Sequence, residues 1–201
     1  MRKMRTAEEM ANYCLEKGTS FKWKKKHLEL FFSIIEDALN EDEYAVLCFV
    51  AKRHVTAYVT VHDDYAYALT NKRLLTGLTT GLDIRLNVTS YKDLNTIDVG
   101  KRTVLIDSIK AEGHADVCEE AAPNIKRELE PILKIILKQK AARERTNRFT
   151  GSVADELIKF KQLRDEGVLT ETEFQKQKDL LLNPGWEEFV VDFEAEEGKE
   201  D

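Results

Sequence analysis

The sequence has few of the residues that interrupt or cross-link a chain: 3 prolines, 9 glycines and 3 cysteines among 201 residues. Cys14, Cys48 and Cys118 are odd in number and widely spaced, so we expect buried, reduced thiols rather than a disulfide framework. The sequence also has no run of about 18 apolar residues, and its basic residues 1–5 lead into acids. We therefore expect a cytoplasmic protein without a signal peptide or a membrane span.

Patterns that mark common enzyme sites are missing as well. The sequence contains no glycine-rich phosphate-binding loop and no Gly-x-Ser-x-Gly motif, and none of its 4 histidines has a partner at helical metal-ligand spacing. His114, Asp116 and Cys118 alternate along one stretch, but the sequence offers no further ligand for them. We therefore expect no catalytic site, no metal and no cofactor.

The net charge of −6 is distributed unevenly. Residues 187–201 hold eight acids and one lysine, a local charge of −7, which leaves +1 for the other 186 residues. Aromatic residues such as Trp186 and Phe189 lie among these acids, a composition typical of peptide ligands that order on binding. A solubilising tail is the alternative, and we predict that residues 184–201 are disordered on their own.

The remaining sequence is rich enough in apolar residues to form a core, since 42% of all residues are hydrophobic and 34% are charged. Residues 1–40 are predicted to form two helices. Thr6 and Glu9 form a capping box for the first helix, which Gly18 ends. In the second helix, at 24–39, apolar residues recur at spacings of three and four and form one face suited to packing on a sheet.

Residues 41–140 change to short strands. A β-hairpin is predicted at 65–78, because apolar residues alternate on both sides of Asn71 and Lys72, the predicted turn. Further strands are predicted at 44–51, 55–61, 82–88, 94–99, 103–109 and 114–118, with 112–113 as a break, and a helix at 125–137 that Pro131 kinks or starts. This order predicts an α+β protein: an antiparallel barrel or sandwich capped by a helix. A basic segment, 141–151, follows, which is either a linker or the fraying end of this helix.

Two stretches of this region resemble a known family. Residues 68–75, with their Thr-Asn-Lys-Arg turn, and residues 91–97, which begin with Tyr91 and lead into a strand near Ile97, are similar to bacterial pleckstrin-homology-like (PH-like) domains of the YokE type. The resemblance implies a helix-capped antiparallel barrel over about residues 25–140, and cyclic homo-oligomers formed through strand edges. Exposed strand edges give that assembly a physical basis. Arg73 is expected to brace the turn by bonding neighbouring carbonyl groups, with Lys72 solvated.

Residues 152–183 are predicted to form a helical hairpin. Ser152 begins the first helix, Gly167 ends it, and Thr170 with Glu173 forms the capping box of the second. This segment resembles the short C-terminal domain (SHOCT) found at the ends of many prokaryotic and phage proteins. About 30 residues bury little surface alone, so the hairpin is expected to pack on a partner or on its own copies. Candidate contacts in the hairpin and the tail are Leu157, Phe160, Leu163, Val168, Leu169, Phe174, Leu181, Trp186 and Phe189.

The sequence therefore predicts a non-enzymatic interaction module that forms homo-oligomers and recruits a protein partner. Two alternatives depend on basic residues. One is binding of an anionic lipid surface or a phosphate ligand through Lys22, Lys24, Lys25, Lys26, Lys52, Arg53, Lys72 and Arg73. The other is binding of nucleic acid through the basic linker region, with Arg143, Arg145 and Arg148.

Overall fold

A computed structural model of the chain describes residues 1–20, 23–53, 64–79, 84–109, 112–149, 153–182 and 189–194. The chain divides into two compact units. The first unit comprises Met1–Ile136 together with Val190–Asp201, and the second comprises Leu137–Phe189. The predicted strand at 55–61 lies outside the described residues, as do Phe21 and Lys22.

The described residues form five helices and seven strands. The helices are α1 (Ala7–Lys17), α2 (Lys25–Ala38), α3 (Ala122–Phe149), α4 (Val153–Asp165) and α5 (Glu171–Leu182). The strands are β1 (Ala45–Arg53), β2 (Asp64–Thr70), β3 (Arg73–Thr79), β4 (Ile84–Ser90), β5 (Leu94–Val99), β6 (Thr103–Ser108) and β7 (Glu112–Asp116). The predicted α+β class and the central hairpin, β2 and β3, are confirmed. The predicted break at 112–113 is wrong, because both residues belong to β7.

The strands form one antiparallel sheet in the order β4-β3-β2-β1-β7-β6-β5. Among the described residues no ladder joins β4 to β5, so the sheet is open and these two strands are its edges. The sheet curves around a cavity of about 200 Å³. Tyr67 and Thr76 line this cavity from one half of the sheet, and Ile106 and His114 line it from the other half. The sheet is therefore curved like part of a barrel without closing.

Helices α1 and α2 cover one face of the sheet. Buried Ala66, Ala68 and Leu75 face this helical layer and belong to the same apolar core as Leu28 and Ile35 of α2. On the other face, Phe49 and Tyr67 stack with ring centroids 4.8 Å apart. Because both faces of β1 and β2 are covered, the sequences of these strands are nearly continuously apolar and do not alternate between polar and apolar residues.

Small residues allow α2 to lie close to the sheet. A Cβ atom at Gly77 of β3 would fall well inside contact distance of Ile34 Cγ2 and 3.2 Å from Ile35 Cδ1. Gly77 is paired with Ala66 of β2, so two small residues lie side by side beneath the helix. The positions of small residues in β2 and β3 thus set the distance between helix and sheet.

The helix boundaries agree with the predicted caps. Thr6 Oγ1 accepts a hydrogen bond from the Glu9 N–H at 3.2 Å, and Glu9 Oε2 accepts one from the Thr6 N–H at 3.1 Å. Gly18 then ends α1 with a φ of 65°, in the left-handed region that glycine adopts at low cost. All three cysteines are free, with Cys14 and Cys48 buried and Cys118 partly buried.

Two segments differ from the sequence expectation. Helix α3 runs without interruption through Pro131 to Phe149, so Pro131 does not start the helix and most of the expected linker 141–151 is helical. In the tail, Val191 and Phe193 are 1% and 2% exposed, so residues 190–194 pack on the first unit rather than standing in solvent. Residues 183–188, including Trp186, and 195–201 lie outside the described part.

Candidate interaction surfaces

The turn between β2 and β3 has a hydrogen-bonded structure of its own. Thr70 Oγ1 accepts hydrogen bonds from the N–H groups of Lys72 and Arg73 at 3.0 and 2.9 Å. The same hydroxyl donates to Glu43 Oε1 at 2.7 Å. Threonine at this position therefore fixes the shape of the turn and links the turn to Glu43, which lies just before β1.

Glu43 and Arg73 form a bidentate ion pair in which the carboxylate is buried. Arg73 donates from Nε to Glu43 Oε1 and from a terminal guanidinium nitrogen to Oε2, each at 2.9 Å, and it also donates to the carbonyl of Ala38 at 2.9 Å. Glu43 has no exposed surface, whereas the Arg73 side chain is 24% exposed. Burial by itself raises the pKa of Glu43, but hydrogen bonds from Arg73, Thr70 and the Asn40 N–H outweigh it and hold the pKa below its ordinary value.

Asn71 and Tyr91 complete this group, which we call the turn cluster (Glu43, Thr70, Asn71, Arg73 and Tyr91). The Tyr44 N–H donates to Asn71 Oδ1 at 3.0 Å. The hydroxyl of fully buried Tyr91 donates to the Thr70 carbonyl at 2.6 Å. The two stretches that carry the PH-like resemblance, 68–75 and 91–97, therefore meet in the structure. The turn cluster stabilises the fold, and the guanidinium group of Arg73 is engaged in its hydrogen bonds.

Eight basic residues are predicted to bind an anionic ligand, and those whose side chains the structure describes do not form one patch. Lys25 pairs with Glu8 at 2.6 Å, and Lys72 pairs with Asp42 at 2.6 Å rather than being solvated. Lys24 and Lys26 are exposed at the start of α2. Arg73 bonds the other end of that helix, about 20 Å away at 1.5 Å per residue.

The other predicted cations are also separate. Lys52 is exposed near the end of β1 and pairs with Asp64 of β2. Asp64 is six residues from Thr70 along the strand, which places Lys52 about 20 Å from the turn cluster. Arg53 ends β1, and Lys22 lies outside the described residues. Of the nucleic-acid candidates, Arg143 lies over the ring of Phe189 at 5.5 Å, while the side chains of Arg145 and Arg148 lie outside the described part of α3.

Edge strand β4 carries a row of exposed apolar side chains. The alternation of the sequence predicts that they share one face of the strand, but it does not predict that this face is exposed. Ile84, Leu86 and Val88 are 73%, 41% and 51% exposed. Leu86 pairs with Gly77 and Val88 pairs with Leu75, so the row lies on the helix-covered side of the sheet. Helix α2 packs mainly on β3 and only slightly on β4, so it leaves these three side chains exposed. We call these three residues the β4 row.

The second unit contains the predicted helical hairpin. Gly167 ends α4 with a φ of 73°, and the Val168 and Leu169 N–H groups donate to the carbonyl of Leu163 at 2.8 and 3.1 Å. The capping box is present, since the Thr170 N–H donates to Glu173 Oε2 at 2.9 Å and the Glu173 N–H donates to Thr170 Oγ1 at 3.3 Å.

Apolar packing within the hairpin is incomplete. Phe174 is buried beneath the Arg164 guanidinium, which lies 4.7 Å from its ring centroid. Val168 is 65% exposed. The predicted contacts Leu157, Phe160, Leu163 and Leu169 are half-buried, and Leu181 lies in α5.

A third surface is the place where residues 190–194 lie on the first unit. The Val191 N–H donates to the Asn71 carbonyl at 2.7 Å, next to the turn cluster. Lys3 Nζ pairs with Glu194 Oε1 at 2.5 Å and lies 5.0 Å from the centroid of the Tyr44 ring. Buried Val191 and Phe193 alternate with exposed Asp192 and Glu194. This part of the tail thus buries every second side chain.

The described residues contain no cluster of three His, Cys, Asp or Glu side chains arranged to hold a metal ion. No helix in the described part of the chain has the length and apolarity needed to cross a bilayer.

Comparisons with known proteins include a structural similarity of low sequence identity. No family model matches the chain, and no curated protein matches it. A solved structure titled "Autoinhibited Vav1" is similar over 62% of this chain, with 10% sequence identity and a TM-score of 0.36. The chain spans 24% of the length of that structure. A similarity at this score does not define the fold, which is described by the strand order and helix positions above.

Proposed function

We propose that the chain is a non-enzymatic interaction module whose first unit is a PH-like open barrel that self-associates through β4. The observation that carries this proposal is the β4 row, three apolar side chains exposed on a strand that is also a sheet edge. A long edge strand with an apolar face is a template for pairing with another chain. The SHOCT-like hairpin of the second unit serves a separate partner.

The sequence of β4 favours antiparallel pairing with β4 of a second copy. If the two strands are related by a two-fold axis at Leu86, then Ile84 lies opposite Val88 of the other copy, and Leu86 lies opposite itself. The apolar row then continues across the interface. Pairing of β4 with the other edge is less favourable, because the exposed residues of β5 are Asn95 and Asp98 and would lie beside apolar side chains.

The expected affinity is moderate. Burying the remaining exposed surface of six apolar side chains contributes about 5–9 kcal/mol, taking roughly half of the 1.5–3 kcal/mol for a fully buried side chain. This is of the same order as the cost of association, about 4–15 kcal/mol, so the main-chain hydrogen bonds of the new ladder decide the balance. We therefore expect a dimer that forms in a concentration-dependent manner.

The proposed role of the hairpin is supported by its exposed apolar surface. Ile158 and Val168 are 56% and 65% exposed. Few side chains of a two-helix unit can be removed from water without a partner. We infer that this surface recruits a second protein, independently of β4.

Light scattering on Leu86→Lys and a matched variant tests the β4 proposal. The unmodified chain should rise from 23.2 kDa toward twice that mass as its concentration increases. Leu86→Lys should stay at the monomer mass, because it introduces a charge at the centre of the row. Asn95→Lys adds the same charge to the other edge and should behave like the unmodified chain. A monomer at all concentrations for the unmodified chain would contradict the proposal.

A further inference from the structure

The surface occupied by residues 190–194 has the features of a peptide-binding groove. Its wall is built from three segments that are far apart in sequence. Met4 and Ala45 exchange backbone hydrogen bonds of 3.0 and 2.8 Å, and the Asn71 N–H donates to the Tyr44 carbonyl at 3.0 Å. The N-terminal segment, the start of β1 and the hairpin turn are thereby joined by contacts that do not involve the tail.

The turn cluster makes this wall rigid. Asn71, whose carbonyl accepts the Val191 N–H, also donates from Nδ2 to the Asp42 carbonyl at 3.2 Å and is 3% exposed. The adjacent Thr70 and Arg73 are bonded to buried Glu43. A site whose backbone acceptor is held in place by such contacts is preformed, and a preformed site loses little conformational entropy on binding.

The bound segment defines the chemistry that the groove accepts. Val191 and Phe193 are buried at positions i and i+2, whereas Val190, which precedes them, is 44% exposed. Glu194 at i+3 meets Lys3, and hydrogen bonding with Glu194 raises the pKa of Lys3. The Glu194 N–H donates to Asp192 Oδ1 at 3.0 Å, a local turn that presents Glu194 to the lysine. The groove therefore accepts a segment with apolar residues at i and i+2 and an acid at i+3.

We propose that this groove, formed by Lys3, Tyr44 and Asn71, is a recognition site for an acidic, aromatic peptide of a partner protein, and that residues 190–194 occupy it in cis. Main-chain bonding to the groove gives orientation, and the pockets for alternate side chains give specificity. The tail is tethered, so a partner peptide competes with an effective concentration of the order of millimolar. The site is separate from the β4 row and does not depend on self-association.

Peptide binding to the full chain with an emptied groove tests the proposal. The probe is a fluorescein-labelled peptide of residues 187–196, and the groove is emptied in the full chain by Val191→Ser with Phe193→Ser. Fluorescence polarisation should show binding at least tenfold tighter to this double variant than to the unmodified chain. A probe carrying the same two serine substitutions should not bind. Equal binding of the probe to both chains, or of both probes to the double variant, would overturn the proposal.

Two further measurements keep the test decisive. Adding Lys3→Glu to the double variant should weaken binding several-fold, whereas Lys101→Glu, at an exposed lysine paired with Glu119, should not. If the double variant does not fold, hydrogen exchange on the unmodified chain replaces it. An excess of unlabelled peptide should then accelerate exchange at the Val191 amide, and unchanged exchange at saturating peptide would refute displacement.

Discussion

Replacing Arg73 by methionine tests how the turn cluster stabilises the first unit. The substitution retains an unbranched side chain of similar length and removes both bonds to Glu43 and the bond to the Ala38 carbonyl. Glu43 is then left as a carboxylate without exposed surface or a counter-ion. Breaking a buried pair on one side costs about 3–5 kcal/mol. We expect the lower end, about 3 kcal/mol, because Thr70 and Asn40 still bond the carboxylate.

Urea denaturation at one fixed protein concentration measures the effect. With a dependence of about 1–3 kcal/mol per molar urea, the midpoint of Arg73→Met should fall by about 1–3 M at pH 7. Lys72→Met is the matched control, since it removes the neighbouring pair with largely exposed Asp42 and should leave the midpoint nearly unchanged. A combined Glu43→Gln, Arg73→Met variant should recover part of the loss, because no charge is then buried alone.

The loss should also depend on pH in a defined direction. In the unmodified chain the folded-state pKa of Glu43 is lowered, so its stabilisation is present above the ordinary pKa and disappears as the pH falls through the lowered value. In Arg73→Met the hydrogen bonds from Arg73 are lost, and the burial of Glu43 then raises that pKa, so the carboxyl group takes up a proton more readily as the pH falls. The difference in unfolding free energy should narrow from pH 7 to pH 4. An equal difference at both values would refute an electrostatic role for Arg73.

Three further outcomes follow from the fold and the surfaces. Gly77→Ala should destabilise the first unit by about 1–3 kcal/mol in urea, because the added methyl group meets Ile34; unchanged stability would show that α2 can move away at no cost. Tyr91→Phe should cost about 1–3 kcal/mol by leaving the buried Thr70 carbonyl without its donor, and a neutral effect in the same assay would contradict this. The full chain should sediment weakly with anionic vesicles at physiological salt, since the candidate basic side chains in the described part of the chain are dispersed. Strong sedimentation abolished by Lys26→Glu would favour the lipid-binding alternative.

Local signals were sufficient to predict much of the fold. The hairpin at 65–78 follows from alternation around Asn71, and the start and end of α1 follow from Thr6, Glu9 and Gly18, because each signal acts within a few residues. Helix α3 was harder to predict. Pro131 removes one N–H donor, and the basic residues beyond it are strong helix formers, so neither feature ends the helix.

The candidate surfaces depended on information that local patterns do not contain. The alternation of Ile84, Leu86 and Val88 shows that they share a face, but only the position of α2 relative to the sheet leaves that face open. Likewise, the acidic composition of the tail favours disorder, and the packing of Phe193 depends on the fold of residues more than 100 positions earlier. The buried pairing of Glu43 with Arg73, 30 residues apart, has the same long-range origin.

The most direct test of self-association through β4 is disulfide cross-linking at the proposed two-fold axis. In a chain carrying Cys118→Ser, Leu86→Cys places two thiols opposite each other, at the roughly 4.5–5.5 Å between Cβ atoms of cross-strand pairs. Ile84→Cys alone faces Val88 of the other copy and has no thiol opposite. Mild oxidation should therefore give a covalent dimer with Leu86→Cys and with the Ile84→Cys, Val88→Cys pair, but not with Ile84→Cys alone. Failure of Leu86→Cys to cross-link, or equal cross-linking by Ile84→Cys alone, would contradict the β4 interface.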